Sequence, residues 1–335
     1  MAETWHTIGH DKAVNLLRRS LDDGRVSHAY LLAGPHQVGK MRLATDLARA
    51  VNCTTGERPC GNCSQCVRIE RKLHSDVKVV GLERSGVGRT LIGIDQVREI
   101  QKVANLKPFE GSTRVFIFEA ADLLSEEAAN SLLKTLEEPP DSVLMALLTS
   151  RPGELPTTLT SRCQRINLRP VPFRIIAGAL ETLHGLDAQR ANEIGRLAAG
   201  RPGWAIEAAN DNALVDRVTE QLNTIEEILR GGLESRFKHA ARLATSFVRD
   251  RETARAELGI WLGWWRDVML VKEGSQEFVT YLSHINSLQG IGERMSIGGI
   301  VRALRGVQDT CAHVERNVNP RLALEQMMLS FPRIL

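Results

Sequence analysis

Apolar and polar positions follow two alternating patterns in the first half of the chain. Apolar runs predict strands at Ala29–Ala33, Val77–Val80, Val115–Phe118, Val143–Leu148 and Arg165–Leu168. Apolar residues at helical spacing predict helices at Asp11–Leu21, Met41–Val51, Ile94–Val103 and Ser125–Glu137. Runs without polar alternation are typical of parallel strands buried on both faces. The interleaved order therefore predicts a doubly wound α/β domain.

After Pro170-Val171-Pro172 the strand pattern stops and helical spacing dominates. The pattern predicts helices at Ala191–Ala199, Leu214–Leu229, Leu233–Val248, Thr253–Lys272, Gly299–Val314 and Leu322–Leu329. Trp261, Trp264 and Trp265 recur at i, i+3 and i+4, which is core spacing on a helix. The fold class predicted is thus an α/β domain followed by an all-helical half.

Composition and charge narrow the class of protein. The 335 residues are 43% hydrophobic and 25% charged, which excludes disordered and collagen-like chains. The 43 Lys and Arg residues against 40 Asp and Glu give a net charge of +3, too small to argue for nucleic-acid binding by itself. No stretch approaches the ~20 apolar residues of a membrane span, and residues 1–10 lack a signal-peptide core. We therefore expect a cytoplasmic protein.

A phosphate-binding loop is predicted directly after the first strand. Residues 34–41 read Gly34-Pro35-His36-Gln37-Val38-Gly39-Lys40-Met41, which matches G-x-x-x-x-G-K in a strand–loop–helix context. Gly34 and Gly39 allow backbone N–H groups to cradle phosphate, and Lys40 would reach the outer phosphates. Met41 replaces the Ser or Thr that holds Mg²⁺, and a thioether is a poor ligand for that ion. ATP or ADP binding without hydrolysis and a relic loop that only shapes the fold both remain open.

The acidic element of a nucleotide site is also incomplete. The strand Val115–Phe118 runs into Glu119-Ala120, where a hydrolysing site carries Asp then Glu. Glu119 keeps one carboxylate, but Ala120 has none to polarise an attacking water. Position 41 lacks a hydroxyl for Mg²⁺ and position 120 lacks a carboxylate for water activation. Together these differences predict a nucleotide-binding fold that does not hydrolyse ATP.

Four of the six cysteines fall in one short segment. Cys53, Cys60, Cys63 and Cys66 are spaced C-x6-C-x2-C-x2-C, which predicts a closed, structural Zn²⁺ site. Four free thiols and an iron–sulfur cluster are the alternatives. The segment interrupts the α/β domain and therefore predicts a surface excursion.

Ser161-Arg162-Cys163 follows a short helix-like segment and precedes the last predicted strand. No histidine partner is evident for Ser161 or Cys163, so Cys163 is interpreted as a packing residue. On residue type alone, Arg162 would be one more solvated surface arginine.

These segments together resemble a known family. Ser27-His28-Ala29-Tyr30-Leu31-Leu32-Ala33-Gly34-Pro35, the cysteine segment, Leu132-Leu133-Lys134-Thr135-Leu136-Glu137-Glu138-Pro139-Pro140 and Ser161-Arg162-Cys163 occur in the same order in bacterial DNA polymerase III clamp-loader subunits of the AAA+ superfamily. The resemblance covers essentially the whole chain. It implies an AAA+ α/β domain at 1–170 with the zinc segment at about 53–66, a helical lid at 171–210 and a helical collar at 211–335.

Within that family the chain resembles the delta-prime branch, whose nucleotide site is degenerate, more than the ATP-hydrolysing gamma/tau branch. Met41 and Ala120 point there, and Gly203 stands where the lid arginine of a hydrolysing site is expected. Arg201 is nearby but out of register. The alternatives are an ATP-hydrolysing gamma/tau-type motor subunit with a divergent loop and, more distantly, a metal-binding DNA adaptor.

The resemblance implies a five-subunit ring with gamma/tau and delta subunits that places a sliding clamp on primed DNA. In that ring, Arg162 of the Ser-Arg-Cys motif, flanked by Ser161 and Cys163, would enter the ATP site of the adjacent motor subunit. An arginine supplied in trans stabilises charge on the transferred phosphoryl group. The alternative is that Arg162 only forms an ion pair within its own domain.

DNA contact is predicted on the helix Ile94–Val103, since the family lines its ring with helices of the α/β domain. Arg98 and Lys102 are four residues apart and share a face of that helix. Their charges suit phosphate contacts. A solvated helix face is an equally open interpretation.

Overall fold

The computed structural model describes residues 4–82, 91–316 and 318–332. The chain divides into two compact units: Met1–Leu183 with Ala198–Ala205, and His184–Leu197 with Ile206–Leu335. Residues 171–210, predicted as a separate lid, are shared between these units. The three-part division implied by the resemblance therefore stays a prediction.

The first unit alternates strands and helices. In chain order its elements are α1 Asp11–Asp22, β1 Ala29–Ala33, α2 Lys40–Asn52, α3 Ser64–Glu70, β2 Val77–Val80, α4 Ile94–Ala104, β3 Arg114–Phe118, α5 Glu126–Glu137, β4 Val143–Thr149, α6 Thr157–Thr160, β5 Gln164–Asn167 and α7 Phe173–His184. Each predicted strand is present. β5 begins and ends one residue earlier than predicted, because the Leu168 N–H still bonds the Ala33 carbonyl but the chain then turns towards Pro170, which has no N–H.

The strands form one parallel sheet in the order β2-β3-β4-β1-β5. β1 lies between β4 and β5, with Ala33 opposite both Thr149 and Asn167. The carboxyl ends of the strands therefore meet at one edge, which we call the carboxyl edge. The opposite edge, where Gln164 pairs with Tyr30, is called the amino edge.

Both faces of the sheet are buried. Tyr30 and Leu32 of β1 pack on one side with α1 and α2, whereas Ala29 and Leu31 pack on the other with α4 and α5. An apolar side chain is therefore required at each position of β1, which explains why its sequence shows no alternation. The predicted α/β fold class is confirmed.

Helix ends follow local capping chemistry. The Ser125 side chain accepts a hydrogen bond from the Ala128 N–H and so caps α5, while Pro139 and Pro140 follow its last turn. The predicted helix Ser125–Glu137 is thus confirmed, with Ser125 as its N-cap.

The regular elements among the described residues of the second unit are all helices. Its elements are α8 Ala188–Leu197, α9 Pro202–Asn210, which begins in the first unit, α10 Asn212–Arg230, α11 Leu233–Arg249, α12 Arg251–Lys272, α13 Ile285–Arg294, α14 Ile297–Glu315 and α15 Pro320–Ser330. Trp261, Trp264 and Trp265 of α12 have no exposed area, as their spacing predicted. Phe331 stacks on Trp261 at 5.0 Å between ring centroids and joins the chain end to this core.

Candidate functional site

The predicted phosphate loop lies at the carboxyl edge, between β1 and α2. Backbone geometry requires glycine at two positions of this loop. A Cβ on Gly34 would stand 2.5 Å from the Leu168 carbonyl oxygen, so only glycine fits so close to the end of β5. Gly39 has φ +112°, a left-handed conformation that favours glycine. The loop geometry is thus demanded by the fold itself.

Lys40 is satisfied by the loop that contains it. Its Nζ donates to the carbonyl oxygens of Gly34 and Pro35, each at 2.7 Å. Burial lowers the pKa of the Lys40 amine to about 8, against the attraction of the Asp122 carboxylate, which raises it. The Lys40 amine therefore directs hydrogen bonds to backbone carbonyl oxygens of the loop.

The Met41 side chain has a packing role. Its side chain is half-buried and packs against the core between the sheet and α1–α2. A residue that belongs to the core supplies no oxygen to a cation. Position 41 therefore lacks a hydroxyl that could bind Mg²⁺, and its thioether contributes to packing instead.

The acidic element is also redirected. Glu119 is exposed, and its Oε2 lies 3.1 Å from where a Cβ on Gly81 would stand, beside the end of β2. Asp122 receives the Thr149 hydroxyl at 2.8 Å and the Arg151 guanidinium at 2.7 Å. The buried carboxylate of this edge is therefore occupied by side chains of its own chain.

Gly203 touches the phosphate loop. Its N–H donates to the Gln37 carbonyl oxygen at 2.9 Å, and a Cβ there would approach that oxygen to 3.0 Å. Arg201 lies over the Trp204 ring at 5.7 Å, and its Nε donates to the Ala198 carbonyl oxygen. The place expected for a lid arginine is thus filled by a glycine in backbone contact with the loop.

The four clustered cysteines lie at the far end of α2, close to the amino edge. Their Sγ atoms are all within 4.8 Å of one another, with Cys53–Cys63 and Cys60–Cys66 at 4.0 Å. Four thiolates at ~2.3 Å around one Zn²⁺ stand about 3.8 Å apart. The cluster could hold one zinc ion, whereas an iron–sulfur cluster needs ligands further apart.

Backbone donors stabilise these sulfurs. The N–H groups of Cys60, Cys63 and Cys66 point at the Sγ of the preceding cysteine in the set, at 3.3–3.5 Å. Burial raises the pKa of Cys60, but hydrogen bonds from Thr55 and from backbone outweigh it and lower that pKa to about 6. Burial raises the pKa of Cys66 to about 12. The Cys63 sulfur also caps α3, a short helix that the cysteine spacing alone did not predict.

Buried ion pairs fasten this cysteine module to the sheet domain. On α2, the Asp46 carboxylate accepts from Arg42 at 2.8 Å and from Arg49 at 3.0 Å. Arg42 then reaches Glu70 of α3 at 2.7 Å. Asp46 and Arg49 are both almost fully buried, so the network depends on complete pairing.

A second buried carboxylate shapes the turn before β3. Asp76 accepts the N–H groups of Phe109, Glu110 and Gly111 at 2.8–2.9 Å and pairs with Arg114 at 2.9 Å. Burial raises the pKa of Asp76, but these donors outweigh it and lower the pKa to about 2. This turn supports the amino edge beside the cysteine module.

Arg162 lies at the amino edge, two residues before β5. Its Nη2 pairs with the Glu137 Oε1 of α5 at 2.5 Å, and its Nη1 donates to the Thr158 carbonyl oxygen at 2.8 Å. The side chain is 36% exposed. An ion pair inside its own domain is therefore present. The chain's own phosphate loop is at the other edge, beyond the four residues of β5, or roughly 10 Å at ~3.3 Å per residue.

The neighbours of Arg162 are held locally. The Ser161 hydroxyl donates to the Thr158 carbonyl oxygen at 3.1 Å, and the Cys163 Sγ lies 3.4 Å from the Leu159 carbonyl oxygen. Burial raises the pKa of Cys163 to about 12, which favours the protonated thiol over the thiolate at neutral pH. Both residues shape the turn that presents Arg162.

Comparisons with known proteins agree with the sequence motifs. The family described as DNA polymerase III, delta subunit, matches residues 9–172. The delta' subunit of DNA polymerase III from Bacillus subtilis is 25% identical, covering 98% of each chain. The chain is thus similar to DNA polymerase III subunits of the delta and delta' type. The family resemblance of the motifs is thereby confirmed.

Tau subunits of DNA polymerase III match about half of this chain. The tau subunits of Bacillus subtilis and Escherichia coli are 32% and 35% identical over 185 and 176 residues. These matches span 31% and 26% of the tau chains, well under half their length. A gamma subunit-related protein from Thermotoga maritima covers 96% of this chain at 19% identity, with a TM-score of 0.38.

The predicted DNA-contact residues of this chain are both exposed on α4. Arg98 is 3.8 Å from Asp95, which precedes it by three residues. Lys102 is exposed one turn further on, and Glu99 between them pairs with Lys78 at 2.8 Å. The face is mixed in charge, so DNA contact at Arg98 and Lys102 stays a prediction.

Sequence reasoning missed several residues of both edges. The sequence alone predicted no role for Asp122, which follows β3, or for its partners Thr149 and Arg151. Thr149 ends an otherwise apolar strand, which is a signal that could have marked it. Glu137 was noticed only as part of a motif. No helix in the described ranges of this chain meets the length and apolarity that a membrane crossing requires.

Proposed function

We propose that this chain is a clamp-loader subunit of the delta-prime type and acts as a stator. It joins gamma/tau and delta subunits in a five-membered ring that loads a sliding clamp on primed DNA. It supplies Arg162 to the ATP site of the adjacent motor subunit and hydrolyses no ATP itself. Its cysteine cluster binds structural Zn²⁺, and Arg98 and Lys102 face the DNA.

One observation carries the proposal. Arg162 is presented at the amino edge, whereas Lys40 and the phosphate loop lie at the carboxyl edge of the same sheet. An arginine so placed is too far from its own loop to act there, but its exposed side chain suits a nucleotide on another chain. Such arginines accelerate phosphoryl transfer by roughly 10³–10⁵ at the site they serve.

The carboxyl edge supports the absence of hydrolysis. Lys40 bonds loop carbonyls, Met41 belongs to the core, and Asp122 is held by Arg151. Water activation would need a carboxylate at position 120, where the chain has alanine. Bound ATP or ADP without turnover is compatible with this site.

The test is ATP turnover by the assembled ring, formed from the cognate motor and delta subunits with clamp and primed DNA. Rings contain either this chain, its Arg162→Ala variant or the matched Arg169→Ala variant, whose exposed arginine is two residues beyond β5. Equal assembly is first checked by gel filtration. We expect Arg162→Ala to abolish hydrolysis at the adjacent site and Arg169→Ala to leave turnover unchanged.

Two results would overturn the proposal. Unchanged turnover with Arg162→Ala would make that residue structural. ATP hydrolysis by this chain alone, lost in Lys40→Ala, would establish the motor-type alternative instead.

A further inference from the structure

The ion pair between Arg162 and Glu137 leaves part of the arginine free. Of the five N–H donors, one faces Glu137 Oε1 at 2.5 Å and one faces the Thr158 carbonyl oxygen at 2.8 Å. The other three have no partner among the described residues. The guanidinium is therefore held at two points while three donors stay available to a phosphate.

Glu137 is poorly placed to stabilise its own helix but well placed to pair with Arg162. Glu137 is the last residue of α5. A carboxylate at a helix C-terminus is disfavoured by the partial negative charge of the unpaired carbonyl groups. The basic residue of this last turn, Lys134, has the sign that the helix favours. Glu137 thus gains its electrostatic stabilisation from Arg162.

The two anchors come from different elements. Thr158 lies on α6, the short helix that precedes Arg162. Glu137 ends α5 and precedes Arg162 by 25 positions. A long side chain held at both points loses rotamer freedom before any ligand arrives. An arginine oriented in advance contributes more to a transition state than a freely rotating one, because the ordering cost is already met.

We propose that Glu137 is a positioning residue that orients the Arg162 guanidinium towards the phosphates of ATP bound to the adjacent subunit. The inference rests on the proposed function of Arg162. Glu137 touches no nucleotide in this arrangement. It acts through one N–H of Arg162 and leaves the remaining donors to the transferred phosphoryl group.

The test is a double-mutant cycle in the reconstituted clamp loader. Glu137→Gln keeps the size of the side chain and removes its charge. Glu138→Gln is the matched control, because Glu138 is the adjacent exposed glutamate and its side chain has no hydrogen bond or ion pair among the described residues. Both changes are also made in the Arg162→Ala background. Thermal melting and gel filtration verify folding and assembly of each variant.

We expect Glu137→Gln to lower the Arg162-dependent part of maximal turnover by about two- to fivefold, the effect of losing one exposed ion pair. The apparent KM for ATP stays unchanged, because the effect appears in the chemical step. Glu138→Gln has no effect, and Glu137→Gln adds nothing in the Arg162→Ala background.

The outcomes separate the two proposals. If Arg162→Ala lowers turnover but Glu137→Gln does not, or if Glu137→Gln acts equally without Arg162, the positioning role is wrong and the trans arginine stands. If Arg162→Ala itself leaves turnover unchanged, both proposals are wrong.

Discussion

The candidate functional side chains at the two edges of the parallel sheet differ in how fully their own chain binds them. At the carboxyl edge, Lys40 and Asp122 are bound by groups of their own chain. At the amino edge, Arg162 is oriented by two contacts and remains exposed. Under the proposed function, the fold has lost hydrolysis at its own loop and keeps, on the opposite edge, an arginine that serves the adjacent subunit.

The largest effect should come from removing the metal that we propose at the amino edge. Cys63→Ser breaks a site of four thiolates, and structural Zn²⁺ contributes on the order of 10 kcal/mol to the folding of small modules. We expect loss of bound zinc and a fall of several kcal/mol in the free energy of unfolding, measured by metal analysis and urea denaturation. Cys311→Ser, outside the cluster, should retain the zinc; full zinc content in Cys63→Ser would contradict the closed site.

Asp76 tests whether buried charge supports the turn beside that edge. Asp76→Ala leaves Arg114 buried and three N–H groups unpaired, so we expect a loss of about 3–5 kcal/mol. The exposed Asp95→Ala should change stability little.

The pH dependence of stability provides a second test of Asp76. Because its pKa is about 2 in the folded chain and 3.8 ordinarily, its stabilisation is complete above about pH 4 and is lost towards pH 2. Urea midpoints measured between pH 5 and 2 should therefore fall more steeply for the parent chain than for Asp76→Ala. Parallel curves would contradict the role of Asp76.

Lys40 probes the carboxyl edge. Its folded pKa of about 8 is below the ordinary 10.5, so the unfolded chain holds this proton more tightly. Stability should therefore rise between about pH 8 and 10.5, and Lys40→Met should remove that part of the rise. Urea midpoints across this range measure it, with the exposed Lys107→Met as control. An unchanged pH profile in Lys40→Met would mean that the amine is well solvated.

The smallest effect concerns the contact of Gly203 with the loop. Gly203→Ala places a Cβ 3.0 Å from the Gln37 carbonyl oxygen, and we expect a loss of about 1 kcal/mol. Gly178→Ala, on a helix with open space around the position, should be neutral or stabilising. Thermal melting of the two variants compares them; stabilisation by Gly203→Ala would show that the contact is loose.

The sequence was informative where one local pattern decided the structure. Burial on both faces makes β1 and β4 continuously apolar, so their existence was predictable to within a residue. α3 was not predicted, because it is only seven residues long and its first turn is capped by a cysteine sulfur. Short helices depend on tertiary contacts rather than on propensity.

The candidate site was predictable only in its individual residues. Spacing alone grouped the four cysteines, since they lie within 14 positions. The Arg162–Glu137 and Asp122–Arg151 pairs join residues 25 and 29 positions apart, through the packing of α5 and the sheet. No periodicity in the sequence encodes such contacts. They arise from the topology that brings separate segments to one edge.

The glycines of the phosphate loop affect how such motifs should be interpreted in other sequences. Gly34 is required by the approach of the Leu168 carbonyl, and Gly39 by its backbone angle. Selection for folding alone would retain both in a lineage that never met a nucleotide. A motif search that scores glycines would still report an ATP site there. Positions 41 and 120 are more informative, because no backbone requirement fixes the residue there and hydrolysis would need a hydroxyl and a carboxylate.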